Sequence, residues 1–182
     1  SLVAAQKISE KTNGEVHAIT FDPKIANELN QYKLDSIIFV SNQELNSYNP
    51  IYYLKTLELV CQKYNPELII FGHSYETRDW VPRLSARLNL PFISDCLSFE
   101  YQSKLNFIRP IFQAKLNEKL SLNKNQGIIS FQSGSYNVEN IVSGNSNIDE
   151  IKIDLSNVVL NVRPGERFRE SANEVDLSSA EI

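Results

Sequence analysis

Few residues in this chain have the types and spacing to do chemistry. His17 and His73 are the only histidines, and neither has a carboxylate or cysteine at ligand spacing, so the pattern predicts no metal site. No nucleophile motif lies near His73, which removes the usual reason to read it as a catalytic base. Cys61 and Cys96 stand far apart and read as two reduced, buried thiols of a cytosol-like compartment. The segment Gly72–Thr77 follows an apolar run, at the strand end where open α/β sheets bind ligands. It has one glycine and a bulky Tyr75, and it lacks the Gly-x-Gly-x-x-Gly that cradles a pyrophosphate. The expectation is a strand-to-helix connection packed against a neighbour, with no bound nucleotide.

Asp95 and Arg109 stand out as charged residues in apolar, strand-like surroundings. A buried carboxylate needs a partner or several donors. The expectation is an Asp95–Arg109 or Asp95–backbone arrangement that fixes this region, with contact to another subunit as the alternative. His73 can hydrogen-bond at a subunit boundary. Arg78, Arg83 and Arg87 share one predicted helix and read either as solvated surface or as contacts to another domain. Trp80 reads as packing at a helix start, and its closeness to the 72–77 loop also makes it a possible interface anchor. A last basic group, Arg163, Arg167 and Arg169, reads as a domain border or a solvated linker.

The elements that must position these residues alternate in the first half. Residues 2–12 read as helix, stopped by Asn13-Gly14. Val16 to Phe21 is an apolar run of strand length. Asp22-Pro23 supplies an N-cap and a first-turn proline for a helix to about Gln31. Residues 36–40 have the continuous apolar character of a strand covered on both faces. Asn49-Pro50 opens another helix, whose Tyr53, Leu57, Val60, Cys61 and Tyr64 form one face. Leu68–Gly72 is a second buried strand. A helix from about Arg78 to Asn89 follows, with Asp79 as N-cap and Pro82 in its first turn. Such alternation predicts a parallel sheet with right-handed crossovers.

After Pro91, strand-like runs succeed one another: Ile93, 97–101, 105–112, 116–122 and 127–131. Short polar turns join them, which predicts antiparallel hairpins appended to the parallel core. Residues 133–147 read as loop, 148–154 and 158–163 as two more strands, and 169–176 as a charged linker. The predicted fold class is α/β: a parallel twisted sheet with helices on both faces, plus hairpins.

Composition fits a globular domain. The 182 residues are 42% hydrophobic and 22% charged, enough chain to bury a core without disulfides or metal. A net charge of −4 argues against nucleic acid as the main partner. No apolar run reaches membrane-spanning length, and no secretory leader is visible at the start. Both ends read as cut: the chain has no methionine and begins as if inside a helix.

Several segments, in order, resemble the alpha subunit of electron-transfer flavoproteins. Gly72-His73-Ser74-Tyr75-Glu76-Thr77-Arg78-Asp79 and Pro82-Arg83-Leu84-Ser85-Ala86-Arg87-Leu88 resemble a Gly-Ala-Thr loop, Gly-Arg-Asp and Pro-Arg-Leu-Ala-Ala-Arg-Leu. Ser94-Asp95-Cys96 is like Thr-Asp-Cys, and Arg109-Pro110-Ile111-Phe112 is like Arg-Pro-Ile-Tyr. Ser130 to Tyr136 resembles Thr-Val-Arg-Pro-Gly-Ala-Phe, and 176–182 resembles the stretch leading into the flavin domain. The sequence departs from the pattern in three places: Thr77 replaces a glycine, Gln113-Ala114 a small pair, and Gln132 an arginine.

The resemblance implies an adenine-nucleotide α-hydrolase-like fold over residues 1–168, with the family's first strand before Ser1. A linker at 169–182 would lead to an absent FAD-binding domain. It implies a scaffold without chemistry of its own, paired with the beta subunit, in a complex taking electrons from acyl-CoA or related dehydrogenases, as in fatty acid β-oxidation. FAD would sit in the carboxy-terminal domain and none in this fragment; the setting would be a bacterial cytoplasm or a mitochondrial matrix. Two rivals stand beside this reading: a nucleotide-binding enzyme of the α-hydrolase type, and a stand-alone binding module without a flavin domain.

Overall fold

In the computed structural model, residues 1–163 and 165 are described. Helices cover both faces of parallel strands, and a small antiparallel sheet is added to one face. The order is α1 (Leu2–Thr12), β1 (His17–Thr20), α2 (Pro23–Leu29), β2 (Ser36–Val40), α3 (Pro50–Tyr64), β3 (Leu68–Gly72) and α4 (Tyr75–Leu88). Then come β4 (Phe92–Cys96), β5 (Ser98–Tyr101), β6 (Leu105–Ile111), β7 (Leu116–Ser121), β8 (Gly127–Phe131) and β9 (Ile148–Ile151).

Local chemistry sets the helix ends. Asp22 and Asn49 accept backbone N–H groups of the first turns of α2 and α3, each followed by proline. α1, α3 and α4 all end on an asparagine in the left-handed region, Asn13, Asn65 and Asn89, the role that glycine more often fills. α4 differs from its sequence expectation. It starts at Tyr75, and its N-cap is Ser74, whose hydroxyl accepts the Thr77 N–H at 3.1 Å. Asp79 and Pro82 therefore both lie inside the helix, where the proline leaves the Arg78 carbonyl without its helical donor.

The parallel strands form two three-stranded sheets, β1-β2-β9 and β3-β8-β4. β8 was expected among the hairpins; it instead lies between β3 and β4, and every residue of it is buried. The physical reason is its composition: an apolar run interrupted by one serine suits a central strand buried on both faces. Ile128 faces Leu54, Leu57, Trp80, Val81 and Leu84 of α3 and α4. Ile129 and Phe131 face Ala4 and Ile8 of α1 together with Phe107 of β6. The antiparallel sheet β5-β6-β7 thus closes one side of the core.

Two further expectations change. The predicted strand at 158–163 is irregular chain after a turn at Ser156-Asn157, with Val158 and Leu160 packed on the α3 side and Val159 exposed. β3, expected to be buried, is only half-buried along Leu68–Phe71. The cause is a seam. β1 ends one parallel sheet and β3 ends the other, with no pairing between them. Yet Ile19 and Phe21 at β1 and Ile69 and Phe71 of β3 pack against the same α3–α4 cluster. The two sheets are held side by side by helices rather than by backbone bonds. The linker expected at 169–182 lies outside the described residues.

Candidate functional site

The carboxyl ends of β3, β8 and β4 converge on three polar side chains. His73 follows β3, and its backbone N–H donates to the Phe131 carbonyl at 2.8 Å. Its Nδ1 lies 2.9 Å from the Ser130 Oγ of β8. The same oxygen accepts the Asp95 N–H at 3.1 Å. Asp95 sits at an irregularity of β4 with φ of 62°, left-handed for a residue that is not glycine. Its carboxylate lies 3.8 Å from His73 Nε2, so a protonated imidazole would find a counter-charge there. One buried hydroxyl therefore ties the ends of three strands together and holds Asp95 in its unusual conformation.

Serine, histidine and aspartate in contact invite comparison with a nucleophilic relay. The geometry does not support one. Ser130 is fully buried, with 0% exposure, and its oxygen already accepts a backbone N–H. A nucleophile must present its oxygen to substrate with the imidazole between it and the acid. The cluster positions backbone. Sequence reasoning missed Ser130 as its centre; the signal was a lone polar residue inside the apolar run 127–131.

The 72–77 loop is similarly self-contained. Thr77 Oγ1 donates to the Gly72 carbonyl at 2.7 Å, and Ser74 caps the helix. Glu76 places a negative charge in the first turn of α4, where an anionic ligand would be repelled. Thr77, which stands where the family pattern has glycine, is helical and buried, and it serves as this closure.

The other singled-out residues separate. Asp95 and Arg109 form no ion pair among the described residues; His73 takes that place. The Nε of Arg109 is buried without a hydrogen bond. Trp80 is inside the core at 5% exposure, edge-on to Phe71 and Tyr53, so it offers a partner no surface. Arg78 lies over the exposed Tyr75 ring at 5.5 Å. Arg83 donates to Asp79 at 2.7 Å, and Arg87 to Glu58 at 3.4 Å. Tyr48 also donates to Asp79; burial, then that carboxylate, raise its pKa. Arg163 is exposed, while Arg167 and Arg169 lie outside the described residues.

His17 meets Ser36 and Glu15. Cys61 and Cys96 are buried free thiols, pushed by burial up to about 11 and about 12, which suppresses the reactive thiolate. No group of three or more metal-ligating side chains occurs among the described residues. Among them no helix is long and apolar enough to cross a membrane.

Comparison with known proteins gives the fold a lineage. Residues 1–156 match the family model described as the electron transfer flavoprotein domain. The electron transfer flavoprotein subunit alpha of Bacillus subtilis (strain 168) is 28% identical over 160 residues, covering 87% of this chain and 49% of that protein. Protein FixB of Clostridium saccharobutylicum is 21% identical over 183 residues, covering 97% of this chain and 55% of that protein. The acryloyl-CoA reductase electron transfer subunit beta of Anaerotignum propionicum is 37% identical over 73 residues, 40% of this chain and 20% of that protein. The chain spans about half the length of the first two of these relatives. With most of its length matched by the family model, and with alpha subunits among its relatives, the chain belongs to the electron transfer flavoprotein domain family.

Proposed function

We propose that this chain is the scaffold domain of an electron transfer flavoprotein alpha subunit, pairing with a beta subunit to support an FAD-carrying domain. The observation that carries this reading is the family match over residues 1–156, together with an alpha-subunit relative about twice as long. The flavin supplies the redox chemistry and the protein positions it. Electrons come from acyl-CoA or related dehydrogenases and pass to an acceptor. The self-satisfied loop at 72–77 supports a domain that holds no nucleotide of its own.

The seam between β1 and β3 takes one more parallel strand, the family's first, supplied by chain upstream of Leu2. The two unpaired strand edges, which pack against the same cluster on α3 and α4, support it. A right-handed crossover through α1 would deliver such a strand beside β1.

The test is co-expression of the full-length parent chain with its beta subunit. A purified heterodimer carrying FAD that an acyl-CoA dehydrogenase reduces is expected. Residues 1–163 fused to an affinity tag should retain the beta subunit without flavin. Flavin bound by that fragment, or a parent chain that forms no heterodimer, would overturn the reading.

A further inference from the structure

An oxidisable row of rings runs outward from the core along α3 and α4. Trp80, buried at 5% exposure, meets two rings among the described residues. Phe71 lies 5.4 Å away between centroids and Tyr53 6.0 Å, both edge-on. Tyr53 in turn meets Phe21 at 4.7 Å and Tyr48 at 5.2 Å. Indole and phenol give up an electron to oxidising radicals, whereas the phenylalanine ring resists all but the strongest of them. Each branch therefore leaves one oxidisable continuation among the described residues: Trp80 to Tyr53, then Tyr53 to Tyr48.

Edge-on rings at these spacings are ordinary core packing; what sets this row apart is how it ends. Tyr48 is half-buried in the turn before α3. Its hydroxyl donates to Asp79 Oδ2 at 2.6 Å, a short bond to a charged acceptor. Burial, then that carboxylate, raise the Tyr48 pKa, so the phenol at rest keeps its proton. A phenol oxidised at neutral pH loses its proton with its electron, and here a base already sits on the O–H. Asp79 is exposed, with Arg83 donating to its other oxygen at 2.7 Å, so a proton taken there passes on to water.

We propose that Trp80, Tyr53 and Tyr48 form a radical-transfer row that carries an oxidising equivalent from the core to the surface, with Asp79 as the proton acceptor at its end. Neither flavin nor a second subunit takes part, so the row stands apart from the scaffold reading.

The electrons and protons balance as follows. A one-electron oxidant, an oxidising radical, removes an electron from the Trp80 indole. An electron from Tyr48, passed through Tyr53, refills the indole. The Tyr48 O–H bond breaks as that electron leaves, and its proton goes to the Asp79 carboxylate. Trp80 is restored, and a neutral tyrosyl radical stands at Tyr48. A thiol in solution then gives this radical a hydrogen atom, which re-forms the O–H bond and leaves a thiyl radical, while Asp79 releases its proton to water. The only tryptophan of the chain is thereby spared irreversible oxidation.

The test is ultraviolet flash photolysis of the full-length chain, in which the flash ejects an electron from indole into water and a dissolved scavenger consumes it. Subtracting the trace of Trp80→Phe isolates the radical that starts at Trp80. Its absorption should decay as a tyrosyl signal rises at the same rate. Tyr48→Phe keeps the ring but has no O–H to lose, so the indole radical should live roughly tenfold longer or more, with no tyrosyl rise. Tyr53→Phe should lengthen it as well by interrupting the row, and Asp79→Asn by weakening the proton acceptor. The thermal midpoint of each variant, which retains its side chain's shape, should stay near that of wild type. An indole radical that decays at the wild-type rate in both Tyr48→Phe and Tyr53→Phe would overturn the proposal. A tyrosyl rise that survives Tyr48→Phe would do so too, since the row would then end elsewhere.

Discussion

Ser130 shows how a single buried hydroxyl can organise a strand junction. It satisfies His73 and the Asp95 backbone together, and the sequence disclosed only that a serine interrupted an apolar run. Asp95 was legible as a carboxylate needing a partner, but not which one: sequence spacing cannot rank Arg109 against His73 when the register at the β4 irregularity decides. The two cysteines were fully legible as buried thiols, and they make a pH prediction. Burial raises both thiol pKa values in the folded state, to about 11 and about 12. Between the unfolded pKa near 9 and those values the unfolded chain has lost protons that the folded chain keeps. Stability should therefore fall as pH rises through that window, by up to about 1.4 kcal/mol per unit for each thiol. Tyr48 adds the same sign at still higher pH. Urea unfolding at pH 8 and pH 10 (roughly one unit either side of the free thiol's ordinary value) tests this, with Cys61→Ala and Cys96→Ala compared. A pH slope that is unchanged when both thiols are removed would refute it.

At the scale of elements, helix starts marked by Asp22-Pro23 and Asn49-Pro50 were legible because cap and proline coincide. α4 was misplaced because Ser74, a weaker signal, wins through a local hydrogen bond, while Asp79 is recruited by Tyr48 and Arg83. β8 was misassigned because a short apolar run does not say which neighbours it will have. The β6–β7 turn was flagged by Gln113-Ala114 standing where the family pattern has small residues, and the backbone proves to need a glycine-like conformation there. Ala114→Gly should consequently raise stability by about 0.5–1 kcal/mol, the reverse of its effect in a helix. Chemical denaturation measures it; a loss of stability would show that Ala114 is not strained.

For the whole molecule, layering and fold class could be read from alternating strand and helix, and the resemblance implied a first strand before Ser1, whereas the place of the seam between β1 and β3 could not be read, since it is a relation between strands distant in sequence. Free strand edges are open to water and to other chains. Hydrogen exchange should be faster at the seam-facing amides of β1 and β3 than at those of β2 and β8, and should slow when the parent chain supplies its upstream segment. Equal protection in all four would mean that the seam is already closed. The aromatic side chains beneath the seam have one more consequence. Trp80, the only tryptophan, stands edge-on to Phe71 of β3 and to Tyr53, which in turn meets Phe21 just after β1. The molecule thereby carries its own optical gauge: emission from one indole reports whether the two halves of the sheet are being joined or pulled apart.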